Sequence, residues 1–257
     1  MPRFYYFMML TTSIVMLLLV YIPFRKSESI LYKSFVMALS FFILSLIGYD
    51  IVMSILNSKQ DDYVKKHKEY MSLAGEILGR QLKYAEYDDP RMKVLILDFP
   101  EKTNAPRAGV SKNIITGLEK GLKVSGFKIT AIERVEPAKS NDYWLSAKEF
   151  DNVIKKHPEA GLVISLVGLP KDLRSVTFWN EEGSPYLVLF GGNLKNIDQA
   201  LKFKVVVAAI TFLPGASFRE KPGEEEKSQK QVFNEHFLYI TGKNLGDIKE
   251  EFPSLFK

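Results

Sequence analysis

The chain contains no cysteine. That absence excludes a disulfide scaffold, a thiolate-ligated zinc or iron–sulfur site and a cysteine nucleophile. Histidine is scarce as well. His67, His157 and His236 are the three present, widely spaced, so no metal centre is expected. No GxGxxG follows a strand, and neither GxxxxGK[ST] nor GxSxG occurs. The dinucleotide fingerprint, the phosphate-binding P-loop and the hydrolase nucleophile elbow are therefore missing. No cofactor is expected. Basic runs never exceed two residues and the net charge is a modest +5, so nucleic acid is not an expected partner.

Charge itself is lacking in one region. Residues 1–57 carry only Arg3, Arg25, Lys26, Glu28, Lys33 and Asp50. Phe4 to Phe24 has no charged residue, and Ser34 to Leu56 has Asp50 alone. A helix crosses the hydrocarbon core of a bilayer with about 20 apolar residues. Both runs meet that length, and tyrosines 5, 6, 21, 32 and 49 stand near their ends, as an interfacial belt requires. The reading is a transmembrane hairpin over 1–57, with spans of about 4–24 and 34–56. A signal peptide would also begin with a basic residue and an apolar core, but Pro23, Phe24, Arg25 and Lys26 follow the core directly where a small-x-small cleavage site is expected. Asp50 is the polar residue of the second span: a functional carboxylate within the membrane, a residue at headgroup level beside Tyr49, or a polar contact with another membrane subunit. Lysine and arginine near the spans do not agree on orientation. The absence of cysteine leans toward an oxidising compartment, so the expected location is a bacterial inner membrane with the C-terminal domain outside the cytoplasm.

Residues 58–90 are expected as a stalk helix and linker. Tyr63, His67, Tyr70, Ala74, Ile77 and Gln81 form a stripe at helical period. The helix either packs on the following domain or self-associates; Gly75 and Gly79 interrupt it too much for a coiled coil. Asp88-Asp89-Pro90 ends it.

From 91 to 216 strands alternate with helices. KVLILDF (93–99), KITAIERV (128–135), GLVISLV (161–167), YLVLF (186–190) and VVVAAITFL (205–213) read as strands. Helices are expected over 111–123, from the Ser146–Glu149 capping box onward, and over 193–202. Val176–Trp179 reads as a short edge strand. This alternation predicts an α/β fold, a flavodoxin- or Rossmann-like three-layer sandwich on a mainly parallel five-stranded sheet. Residues 217–257 are expected as a charged loop followed by a tail whose Phe252, Leu255 and Phe256 dock.

In such sheets ligands bind beyond the carboxyl ends of the strands. Those ends supply Asp98, Glu101, Lys102 and Thr103 after the first strand, Gly168 after the third, and Gly191, Gly192 and Asn193 after the fourth. Asp98 either orients a ligand hydroxyl or caps its loop. Gly191-Gly192-Asn193 either presents backbone N–H groups to an anion or makes a tight turn. No nucleophile, base and orienter stand together, so no enzymatic activity is expected.

Three stretches, KVLILDFP, GVSKNIITGLEKGLKVSGFKITAIE and FDNVIKKHPEAGLVISLVGLP, recur in the order of a known lobe. Across 93–170 the chain resembles one lobe of the type I periplasmic binding-protein fold, found in substrate-binding proteins of bacterial ABC transporters. The resemblance implies a ligand cleft at the strand ends. The chain departs from that family in having room for one lobe and in its hairpin tether. The leading expectation is therefore an accessory or structural subunit of a membrane assembly, with the lipid bilayer and other membrane subunits as partners. The alternative is a ligand-binding or sensing module for a small molecule.

Overall fold

Lys93–Asp98 forms β1, and every residue after Lys93 is buried. A strand so apolar must be covered on both faces, and β1 is. Leu95 and Leu97 point into one core, Val94 and Ile96 into the other. The computed structural model describes residues 63–84, 93–99, 108–135, 145–170, 172–181, 183–191, 194, 197–218 and 227–256, with four helical positions at 30, 34, 45 and 49. The chain divides into two units, Met1–Asp62 and Tyr63–Lys257. The expected hairpin, with Asp50, lies outside the described residues. Among the described residues no helix is long and apolar enough to cross a membrane.

Among the described residues the sheet has six strands, one more than expected. β2 is Lys128–Arg134, β3 Leu162–Ser165, β4 Tyr186–Phe190, β5 Val206–Phe212 and β6 Phe237–Thr241. Their order is β2-β1-β3-β4-β5-β6. The first five are parallel; β6 turns back and pairs antiparallel with β5, Phe212 opposite Phe237 and Ala208 opposite Thr241.

Helices cover both faces. On one lie α1 (63–81), α2 (Ala108–Ser125) and α5 (Gln229–His236). On the other lie α3 (Ala147–Lys155), α4 (Ile197–Lys202) and α6 (Leu245–Glu251). Helix α1 falls in the segment expected as a stalk and packs on the sheet. Its Met71, Ala74 and Leu78 are fully buried against Val94, Ile96, Ile114 and Leu118. The glycines that argue against a coiled coil are what bring it so close. Gly75 and Gly79 of α1 meet Gly117 and Gly121 of α2, and a Cβ at any of the four would run into the partner's backbone; at Gly79 it would stand 2.6 Å from the Leu122 nitrogen. Ser125 Oγ donates to the Gly79 carbonyl at 2.8 Å and closes the end of the seam.

Local signals are realised where they are strong. Ser146 and Glu149 make the expected capping box of α3, and Ser228 with Gln231 makes a second at the start of α5. The expected edge strand at 176–179 is not formed. Leu173–Ser175 and Phe178–Asn180 are 3-10 turns instead. The cause is Asp151 of α3, a buried carboxylate that accepts from Thr177 N–H (2.9 Å), Thr177 Oγ1 (2.7 Å) and Phe178 N–H (3.3 Å). It ties this segment to α3 rather than to a sheet edge. In the tail, Phe252, Leu255 and Phe256 pack against the core, and Lys249 reaches Asp198 at 3.0 Å.

Tyr239 of β6 carries a pH prediction. Burial pushes its phenol up to about 12 from 10. Above pH 10 the unfolded chain releases this proton and the folded chain keeps it, so the unfolded state binds fewer protons and folding stability falls as pH rises from 10 to 12. Denaturant titrations across that range should show the decline, and Tyr239→Phe should flatten it; an unchanged slope in the variant would assign the effect elsewhere.

Candidate functional site

The sheet order creates one place where the chain leaves the centre in both directions. From β1 the chain crosses to β2 on one side and then returns past β1 to β3 on the other. The carboxyl ends of β1 and β3 therefore flank a topological switch point, the place where open α/β sheets bind their ligands. The strand cores there are apolar, yet each strand ends on a buried polar side chain: Asp98 is 2% exposed and Ser165 0%.

The geometry of each is defined. Leu97 is the register partner of Ser165 across β1 and β3, and Asp98 is the partner of Arg134 across β1 and β2. Asp98 Oδ1 accepts from the Phe99 N–H at 2.8 Å, while the Asp98 carbonyl accepts from Val135 N–H at 2.8 Å. Ser165 Oγ donates to the Gly168 carbonyl at 2.7 Å and holds the loop after β3 in a tight turn. Strand alternation places Asp98 with Val94 and Ile96 on the α1–α2 face, and Ser165 with Val163 on the α3 face. The two thus stand on opposite faces at one end of the sheet.

Two of the expected glycines join them. Gly168 and Gly191 have φ of +80° and +73°, conformations that favour glycine, and they turn the chain sharply after β3 and β4. Gly191 donates its N–H to the Ile210 carbonyl at 2.7 Å, and among the described residues nothing lies within 4 Å of where its Cβ would stand. Its N–H is thereby engaged in the sheet, and the open space above it is the useful feature. Glu101, Lys102, Thr103, Gly192 and Asn193 lie outside the described residues. Ser165 went unnoticed in the sequence; a lone serine inside GLVISLV carries no signal until the strand's place in the sheet is known.

Other polar groups are occupied with structure. His157 Nε2 lies 2.9 Å from Glu133 and Nδ1 3.5 Å from Glu159. Glu159's own backbone N–H, followed by His157 and Lys93, holds its carboxyl below the usual range. His67 packs between Tyr63 and Phe218, where burial lowers its pKa. His236 sets Nδ1 2.8 Å from the Val232 carbonyl and Nε2 3.1 Å from the Ser217 carbonyl, a clasp between α5 and the segment after β5. Among the described residues none of these histidines has a serine or threonine hydroxyl as a hydrogen-bond partner. Among the described residues no three metal-ligating side chains cluster.

No family model matches the chain, and no curated protein matches it. Solved structures do. A glucose-galactose binding protein from Geobacillus stearothermophilus is similar over 68% of this chain and 61% of its own, at 17% identity and a TM-score of 0.46. A carbohydrate transporter from Acidothermus cellulolyticus, in complex with myo-inositol, is similar over 73% and 62%, at 13% identity and a TM-score of 0.47. A 5-methylthioribose transporter solute-binding protein from Thermotoga lettingae matches over 73% and 61%, again at 13% and 0.47. The matched part of this chain thus spans about three fifths of each of those proteins. The resemblance read from 93–170 is met among solved structures at the level of fold, and at these scores the likeness reaches no further.

Proposed function

We propose that the Tyr63–Lys257 unit is a non-enzymatic binding module that holds a small hydroxylated molecule in the crevice at the carboxyl ends of β1, β3 and β4. One observation carries this reading: the switch point of an apolar sheet is flanked by Asp98 and Ser165, two of the few buried polar residues described. Asp98 keeps a carboxylate at the end of β1, with Oδ1 accepting from the Phe99 N–H, and a carboxylate is a strong acceptor for ligand hydroxyls. The open backbone at Gly191 leaves room for such a ligand to approach closely. The accessory-subunit expectation rests on residues 1–57 and gains no support from the described residues.

Sugars and polyols are the class to test. A ligand at 100 times its dissociation constant stabilises a protein by about 2.7 kcal/mol, well within reach of thermal denaturation. Screening the full chain with millimolar galactose, ribose and myo-inositol should raise the melting temperature with at least one. Asp98→Ala should abolish that shift, and Asp98→Asn, which keeps the shape, should weaken it while preserving the unliganded melting temperature. No shift with any sugar or polyol, or an equal shift in Asp98→Asn and the parent, would overturn the reading.

A further inference from the structure

The opposite end of the sheet has a different character. Five parallel strands begin there, and α2, α3 and α4 finish there. Lys93 and Lys128 open β1 and β2 and are direct register partners, so two exposed ammonium side chains start on adjacent strands. Neither makes an ion pair among the described residues. Glu159 is the carboxylate near enough for Lys93 to act on, and it also faces His157. Lys123 stands in the last turn of α2, followed by Val124 at 63% exposure.

The sharpest feature is the turn after α4. Lys202, Phe203 and Lys204 are all exposed, Phe203 at 74%. Lys204 has φ of 58°, the one non-glycine residue described in the left-handed region. The turn is not loose. Phe203 N–H donates to Gln199, Lys204 N–H to Leu201 and Val205 N–H to Ala200, at 2.9, 3.1 and 3.0 Å. A rigid backbone thus holds a large apolar ring in water between two cations. Among the described residues nothing packs over that ring.

We propose that this face docks onto an anionic lipid bilayer, with Phe203 entering the headgroup boundary and the lysines meeting lipid phosphates. The charge complementarity is direct: a basic surface attracts acidic headgroups, and an aromatic tip gains by leaving water at the interface. The cations on this face are lysines, compact charges suited to a diffuse anionic surface, whereas planar bidentate recognition would call for arginine. An exposed phenylalanine and valine have a use at a lipid interface and none against the phosphate backbone of a duplex. The face lies at the other end of the strands from Asp98, so lipid docking leaves the proposed ligand crevice open.

The test uses the full chain held in neutral phosphatidylcholine nanodiscs, mixed with separate vesicles and floated. Vesicles with phosphatidylserine as about a third of their lipid should recover at least about fivefold more protein than phosphatidylcholine vesicles, an excess that shrinks as salt rises beyond about 0.3 M. The K202E/K204E double variant and Phe203→Ser should each remove most of that excess, with melting temperatures unchanged. Equal recovery by the two vesicle types would overturn the proposal. So would displacement of the vesicles by duplex DNA together with full recovery of Phe203→Ser, which would make the face a general polyanion site.

Discussion

Replacing Gly117 with leucine should cost about 3 kcal/mol of folding stability or more, at the upper end for an overpacked interior. A Cβ at this position meets the carbonyl of Ser72 on α1. That obstacle is backbone and cannot swing away, so the helices must separate. Separation would open the seam of Met71, Ala74 and Leu78 against Ile114, Leu118 and Leu122. For a unit of this size the loss corresponds to a fall of about 10 °C in melting temperature. Gly246→Ala is the matched control. Gly246 lies within α6 with nothing near its Cβ position, so alanine there should be neutral or stabilise by up to about 1 kcal/mol. If Gly117→Leu melts within a degree or two of the parent, the close approach of α1 and α2 is wrong.

The second large effect is expected at Asp151. Its carboxylate serves two backbone N–H groups and one hydroxyl from Thr177 and Phe178. Asp151→Ala leaves those donors without a partner in a half-buried site, at a cost of about 3 kcal/mol. Asp151→Asn keeps one acceptor oxygen and should lose about half as much. Urea titration of the three proteins gives the ranking directly. Because Asp151 sits on α3 rather than in the strand-end crevice, the ligand-induced shift should survive in Asp151→Asn; loss of that shift would mean the crevice depends on the 173–180 segment.

These two sites show where sequence reasoning reaches and where it stops. β1, β3, β4 and β5 are legible because continuous apolar runs have few alternatives once they are bounded by polar turns, and β2 because apolar and polar residues alternate along it. The α3 start is legible because Ser146 and Glu149 interact over three residues. Contacts that span the chain are not. Gly75 and Gly79 look like interruptions of a helix until Gly117 and Gly121, some forty residues later, are placed against them. Val176–Trp179 has strand-like residues, but a carboxylate 25 residues earlier decides its conformation. β6 follows directly on α5 with no turn signal between them, and its direction depends on which edge of the sheet is vacant. At the candidate site, Asp98, Gly168 and Gly191 were legible from strand ends alone, whereas Ser165 needed the strand order.

The antiparallel β6 has a consequence for how the chain is made. β5 and the residue before it, 205–212, contain no charge, proline or glycine, a composition that invites pairing with other chains when its edge is bare. During synthesis that edge stays uncovered for as long as residues 213–236 take to appear. The stretch made in that interval, 217–230, is dense with lysine and glutamate. It accompanies the bare strand at the moment of greatest hazard, as a charged gatekeeper does, and β6 then seals the edge.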